Sequence, residues 1–537
     1  MVLHRGQISL LAIVFVLALS LGVFGAPSSP PDAGRYSGDR YGGVLRVATN
    51  AEPPGFDLQI LTAQIAFTIG QHVFETLFTL NARKQFVPFL LDSYTVDADS
   101  RTFTFKVRTG VRFHTGAEMT SADVLASLQR WQRVSGRGRA LLANLTNATA
   151  PDATTVTLVF SQPNGALISA LAIPTQGMVV LPREIIDRNR GADGRDRELK
   201  GADLVGTGPY RLAEWLPDRH VRLVRFREYS RRSDPPSGMA GARFAYADEI
   251  RFIAVPDNLT RLAGLISGEY DLANPLVPDM YDRVQRTQAL MGQVVGPGGG
   301  VVAVFNKRRG PFTDVRMRQA AWYATDPKQV MKAVSENDVF FRLTPALAGK
   351  EWGVWNFPNV GSDVYAHGRD PERAQALMRE AGYRGEPIRW ITTRDFAYMD
   401  RSSQIGADQM KRAGLNVELV VSDWATVLAD RGRPDRYEIF STGISFVGDP
   451  TATAAFTPTW PGWYESSRNS ANYQALVQET NPQRRRELAR QQQRIFWEEL
   501  PYMQWGELLQ FRAHRRAVQD VPTDNLYVLW NAWLEKR

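Results

Sequence analysis

The longest apolar run of the chain, ISLLAIVFVLALSLGVF at residues 8–24, follows His4 and Arg5 and gives way to small residues and prolines. A cationic start, an apolar centre and small residues near Val23, Gly25 and Ala26 match a secretory signal peptide over 1–25, cleaved just after Gly25 or Ala26. The run is also close to the shortest that crosses a bilayer, so a retained anchor is the competing reading. Beyond a Pro-, Gly- and Ser-rich leader at 26–41, two periodicities alternate. VLRVAT at 44–49 reads as a buried strand, and a helix is expected over 63–77. In TFTFKVR, Phe103, Phe105 and Val107 alternate with polar neighbours, the pattern of a half-buried strand. Thr120 and Asp123 have capping-box spacing, and Val124, Leu125, Leu128 and Trp131 follow as one helical stripe. Strands are expected at 154–160 and in RLAEW, HVRLVRF and EIRFIAV. TRLAGLISG then reads as a helix with Leu262, Leu265 and Ile266 on one face and Gly268 as its left-handed terminator. Asp370, Pro371 and Gly382 punctuate another helix, and the strands IRWITT and NVELVV flank a helix at 402–413. Strands alternating with helices in this way predict α/β lobes with largely parallel sheets.

The rest of the composition narrows the function classes. With 537 residues the chain is too long for one core, and 44% apolar against 22% charged residues makes it globular. It has no cysteine, hence neither a disulfide nor a lipoprotein's lipid-bearing Cys. The net charge of +8 is dispersed, only 9 of the 64 basic residues are lysine, and the run Arg484 to Arg486 reads as a solvated helix face. No recognition motif accompanies the charge, so nucleic acid is not an expected partner, whereas a mild preference for anionic ligands stays open. The histidines are isolated, with no paired spacing to hold a metal, and neither G-x-S-x-G nor a cysteine nucleophile is present. No catalytic residue, metal or cofactor is therefore expected. GPGGG at 296–300 lacks the Lys-Ser/Thr ending and the helix of a phosphate cradle, and reads as a hinge or turn. Aromatics are abundant in the second half: Trp352, Trp355, Trp390, Trp424, Trp460, Trp463 and Tyr464. Each is accounted for by core packing as readily as by a pocket, but rings with a polar edge suit reversible capture of a small solute.

Several blocks, in order, carry a resemblance: GGVLRVATNAEPPGFDLQ, VFETLFTL, TFTFKVRTGVRFHTGAEMTSADVLASLQRW, VGTGPYRLAEW, RLAGLISGEYDLA, FNKRRGPFTDVRMRQAAWYATD and DPERAQALMREAGY. Together they resemble the solute-binding proteins of the dipeptide, oligopeptide and nickel ABC-importer family over about residues 42 to 510. The resemblance implies an α/β, two-lobed periplasmic-binding-protein fold of type II, cluster C, with an extra subdomain in the first lobe. It places the first lobe at 42–80 and 205–298, the subdomain at 81–204, the second lobe at 299–500 and a return to the first lobe at 501–537. It implies a monomeric, non-catalytic periplasmic protein that passes a small peptide-like, opine-like or sugar-like solute to an ABC permease and its ATPase in the inner membrane; the alternatives are a ligand-sensing or chaperone-like periplasmic receptor without transport, and an exported hydrolase.

For the site, the resemblance places Glu52, Pro54 and Phe56 where the first strand meets the cleft. It puts Arg394 and Tyr398 near the position that holds a ligand carboxylate, Trp424 at an aromatic position, and Asp449 with Pro450 at the end of the loop ISFVGDP. Where peptide-binding relatives usually place an aspartate for the peptide's amine, this chain has Phe446. Without that charge-assisted bond, an opine-like or sugar-like solute fits better than a free peptide, and nickel fits less well because no histidine falls in these segments.

Overall fold

The computed structural model describes residues 38–537 apart from 174–175, 367–368, 447, 524–526 and 537. The apolar run at 8–24, most of the leader, His4 and His367 lie outside the described residues. No helix among the described residues is long and apolar enough to cross a membrane.

Two long antiparallel strands, Leu290–Phe305 and Tyr502–Arg515, lie side by side in the middle of one mixed sheet. On one side, Val44–Thr49 pairs in parallel with both Glu249–Ala254 and Leu272–Leu276, and the hairpin Tyr210–Leu216 with His220–Arg225 forms the edge. On the other side, Ile388–Thr392 pairs in parallel with Val417–Val421 and Ile439–Ile444. These two groups are the cores of a first and a second lobe. The long strands serve both: Leu272–Leu276 pairs with the far end of Tyr502–Arg515, whereas Ile439–Ile444 pairs with Gly300 to Phe305. The largely parallel sheet expected from strand–helix alternation holds only for these two trios. The long strands and the hairpin run antiparallel, because direct turns and a chain that crosses twice between lobes allow no helical crossover there.

The GPGGG run is not a turn. It lies within the continuous strand Leu290–Phe305, where pairing slips between Val295 and Gly299 and again between Val301 and Val302. Extra residues on one strand bend the ladder without ending it.

A separate antiparallel sheet, Leu91–Val96, Thr102–Val107, Thr155–Phe160 and Leu145–Asp152, forms the subdomain. Phe103, Phe105 and Val107 are buried as their alternation requires. The helix Ser121–Val134 starts at a complete capping box of Thr120 and Asp123, and Val124, Leu128 and Trp131 are buried along it while Leu125 is half-buried. Gly268 ends the helix Asn258–Ser267 at φ 84°; Leu262 and Leu265 are buried, but Ile266 is exposed.

The helix expected over 63–77 covers only Gln64–Gly70. The chain beyond it is recruited by the GTGPY segment: Gly208 N–H donates to the Val73 carbonyl at 2.9 Å and Tyr210 N–H to the His72 carbonyl at 3.0 Å. A Cβ on Gly206 would come 2.0 Å from the Val73 oxygen, so this approach requires glycine.

Candidate functional site

Where the long strands pass between the lobes, a cavity of about 230 Å³ opens, lined by Gln64, Ile65 and Phe67 of the first lobe, Phe396, Tyr398, Trp424 and Ile444 of the second, and Gly299, Gly300 and Leu508 of the strands themselves. Glycine at the floor is a matter of space: a Cβ on Gly299 would lie 2.8 Å from the Ser445 hydroxyl. A smaller cavity of about 150 Å³ adjoins it across Tyr398 and Phe396, and one of about 290 Å³ adjoins it on the subdomain side.

Two arginines stand between the central cavity and the subdomain-side one and line both. Arg431 ends the helix Trp424–Asp430, which Asp423 caps through Thr426 N–H at 2.9 Å. Trp424, Val427, Leu428 and Arg431 fall at helical i, i+3, i+4 and i+7 spacing, so the guanidinium takes the last place on an apolar stripe. It is 9% exposed, lies 5.7 to 6.0 Å from the ring centres of Trp460, Phe440 and Trp424, and donates from Nη2 to Thr62 Oγ1 at 2.8 Å. Arg137, 6% exposed on the helix Gly136–Leu141, donates from Nη2 to the Ala452 carbonyl. Burial brings both guanidinium pKa values down to about 10, which leaves both charged at neutral pH. Among the described residues, neither of the two cavities they share has an aspartate or glutamate in its lining. Asp395, in the third cavity, is engaged with Trp424 N–H at 2.7 Å.

These contacts cross between the lobes. Arg431 belongs to the second lobe and Thr62 to the first, whereas Arg137 belongs to the subdomain and Ala452 to the second lobe. Asn50 also reaches across, to the Asp395 carbonyl at 3.0 Å, and Arg401 to Asp279 at 2.6 Å.

Of the residues singled out from sequence, Tyr398 and Trp424 line the central cavity. Burial holds the Tyr398 phenol far above its ordinary range, so it is a neutral hydrogen-bonding group. Phe446 is half-buried and packs edge-on against Trp352 at 5.6 Å. Arg394 is displaced from the role expected of it: its side chain is 76% exposed, 4.0 Å from Asp400, and outside the linings of these three cavities. Asp449 is buried and fully employed in the fold, capping Thr451 N–H at 2.9 Å and pairing with Arg485 at 2.6 Å. That pair also corrects the solvated reading of the Arg484–Arg486 run, whose central member faces inward. Phe56 is buried edge-on against Trp215 at 5.1 Å, Pro54 is exposed, and Glu52 is half-buried outside the three linings. The segment they occupy ties the first strand to the subdomain through Asp57, which pairs with the buried Arg130. Among the aromatics, Trp424 and Trp460 reach the central cavity, whereas Trp390 and Tyr464 are core.

The histidines are structural where they are described. His72 accepts Leu529 N–H at Nε2 (2.8 Å) and its Nδ1 faces the Ile69 carbonyl at 3.1 Å. His114 accepts Gly206 N–H at Nδ1 (3.2 Å) and its Nε2 faces the Gly208 carbonyl at 3.0 Å. Burial lowers both to a pKa of about 4. Among the described residues no cluster of three His, Cys, Asp or Glu side chains is placed to hold a metal.

Comparison with known proteins gives the arrangement its context. Residues 85–468 match the model of the bacterial extracellular solute-binding proteins, family 5 Middle. The probable peptide ABC transporter periplasmic-binding protein y4tO of Sinorhizobium fredii is 28% identical over 492 residues, covering 89% of this chain and 91% of that protein. The glutathione-binding protein GsiB of Salmonella typhi is 24% identical over 465 residues, covering 81% of this chain and 83% of its own length. The solved structure of AgaA from A. tumefacien R10, in complex with agropinic acid, shares the fold with a TM-score of 0.77 at 22% identity, over 92% of this chain and 99% of that one. Two lobes around a lined cleft, a type II periplasmic-binding-protein fold and a family match over well more than half of the sequence lead to one assignment: this chain belongs to the bacterial extracellular solute-binding proteins of family 5.

Proposed function

We propose that this chain, the substrate-binding component of an ABC importer, captures a small anionic solute between its lobes and delivers it to a membrane permease driven by its ATPase. In this reading residues 8–24 export the protein to the periplasm, where it works as a monomer without catalysing a reaction. The observation that carries the proposal is the position of the cavity, between the lobes and floored by the two strands that join them. A ligand held there stabilises the closed form by its differential affinity for it, and exclusion of water strengthens every polar contact. Tyr398, Trp424 and Trp460 supply rings for the body of the solute. The lack of acidic side chains among the described residues of the central lining, and a phenylalanine, Phe446, outside that lining where the resemblance would place the amine-binding aspartate, favour an opine-like or sugar-like compound over a peptide anchored by its free amine. The agropinic acid of AgaA and the glutathione of GsiB, each bearing carboxylates, support an anionic class.

Mass spectrometry of small molecules released from protein purified without denaturation tests this directly. The recovered compound, added back at a hundredfold excess over its dissociation constant, should stabilise the fold by about 2.7 kcal/mol. No released compound, together with an unchanged melting temperature across peptides, opines, sugars, sugar acids and metal ions, would refute it.

A further inference from the structure

We infer that Arg431 and Arg137 act together as an anion clasp, one guanidinium from each side of the cleft, and that the solute must present to them a carboxylate or a phosphate but need not carry an ammonium group. The inference rests on the solute-binding reading above and assigns the group that site recognises.

Three observations converge on it. First, Arg431 is held out of water with a threonine hydroxyl and aromatic faces around it, and no described carboxylate lies within ion-pair distance of it. A cation so placed is destabilised relative to water unless an anion joins it. Second, among the described residues the two cavities that both arginines line contain no acidic side chain to compete for that role. Their polar lining is largely hydroxyl groups, among them Thr62, Thr442, Thr451 and Thr453, suited to completing the coordination of an oxyanion. Third, each arginine reaches a neutral acceptor on the opposite side, Thr62 Oγ1 for Arg431 and the Ala452 carbonyl for Arg137. An anion between them is thus contacted by both sides only when the cleft is closed, which gives it the differential affinity that closure requires. The lowered pKa of both groups agrees with burial but leaves them protonated. An ammonium-bearing group at the same place would meet two cations and no carboxylate.

The test uses the purified protein and inorganic phosphate as probe, against sodium chloride at matched ionic strength, read by melting temperature and by radius of gyration from small-angle scattering. Phosphate should raise the first and reduce the second. Arg431→Gln and Arg137→Gln should each weaken the response about tenfold or more, as expected when one charged partner is lost. Arg431→Lys should retain part of it, because charge survives but the planar fork does not. Arg394→Gln, which removes an exposed cation outside the three linings, should keep the response, and native-like circular dichroism with a cooperative melt guards against a merely misfolded Arg431 variant. Matched pairs then separate the sources: gluconate against glucose for a carboxylate, glucose 6-phosphate against glucose for a phosphate ester, and N-acetyl-Ala-Ala against Ala-Ala for the amine. The anionic member of each pair should bind more tightly, and the tighter of gluconate and glucose 6-phosphate names the source. A phosphate response that is missing, or unchanged in the Arg431→Gln/Arg137→Gln double variant, overturns the clasp. If glucose or Ala-Ala nevertheless binds both wild type and double variant, solute binding stands and only the clasp falls; if nothing in either series binds, both fall.

Discussion

The Asp449–Arg485 pair shows how a residue's surroundings decide its role. Both side chains are withdrawn from solvent, and Arg485 also donates to the Leu476 carbonyl at 2.6 Å. Removing one member leaves the other charged and buried, so Asp449→Ala and Arg485→Ala should each lower the unfolding free energy by ~3–5 kcal/mol. The double variant should cost clearly less than their sum, and urea titration of the four proteins measures the difference. From sequence, an aspartate before proline could be read as a turn residue or a ligand contact, and three consecutive arginines as solvent-facing; only the helix phase, which turns Arg485 inward, decides. Arg431 was legible in principle. It sits at the fourth position of the Trp424, Val427, Leu428 stripe, where an arginine is either an error of pattern or a functional group. The charged neighbours Arg433, Asp435, Arg436 and Glu438 in the run RGRPDRYE hide that signal.

At the scale of elements, capping and turn chemistry was readable because it is local: the Thr120 box, the Gly268 terminator and the Asp370–Pro371 start all form where their residue types demand. What tertiary pairing imposes was not. The helix after Ala63 stops at Gly70 because backbone groups further on are taken by the GTGPY segment, a partner over a hundred residues away. Gly206→Ala should therefore destabilise the protein by ~1–3 kcal/mol, because its Cβ would fall 2.0 Å from the Val73 oxygen and the docked backbone must retreat. Thermal unfolding checks this, and an unshifted midpoint would mean that the two segments are not held this closely in solution. GPGGG posed the same difficulty: glycines announce backbone freedom, but whether they make a turn or a bulge within a strand depends on the neighbouring strand.

For the whole molecule, closure and acid stability are the properties open to measurement. Gly165 on the subdomain side approaches the second lobe so closely that a Cβ would lie 1.9 Å from the Glu479 carbonyl oxygen. Gly165→Ala should bias the protein toward an open form and weaken solute binding about tenfold, equivalent to ~1.4 kcal/mol, with a larger radius of gyration in scattering. His72 and His114 are held neutral by burial, with folded pKa values of about 4 against an ordinary 6.5. The unfolded chain takes up protons first as pH falls, so their contribution is complete above pH 6.5 and is lost between there and pH 4, about 3 kcal/mol for each. Urea midpoints across that range should fall with acidity, and less steeply in His72→Gln. The two long strands have a further consequence. Because they are hydrogen-bonded to each other from Leu290 and Arg515 to Val304 and Tyr502, twisting one lobe against the other would shear a shared ladder, whereas flexing at the bulges would not. Flexing there would open the protein like a book on its spine, along a single coordinate, so that any partner docking across both covers would sense from one angle whether the pages hold anything.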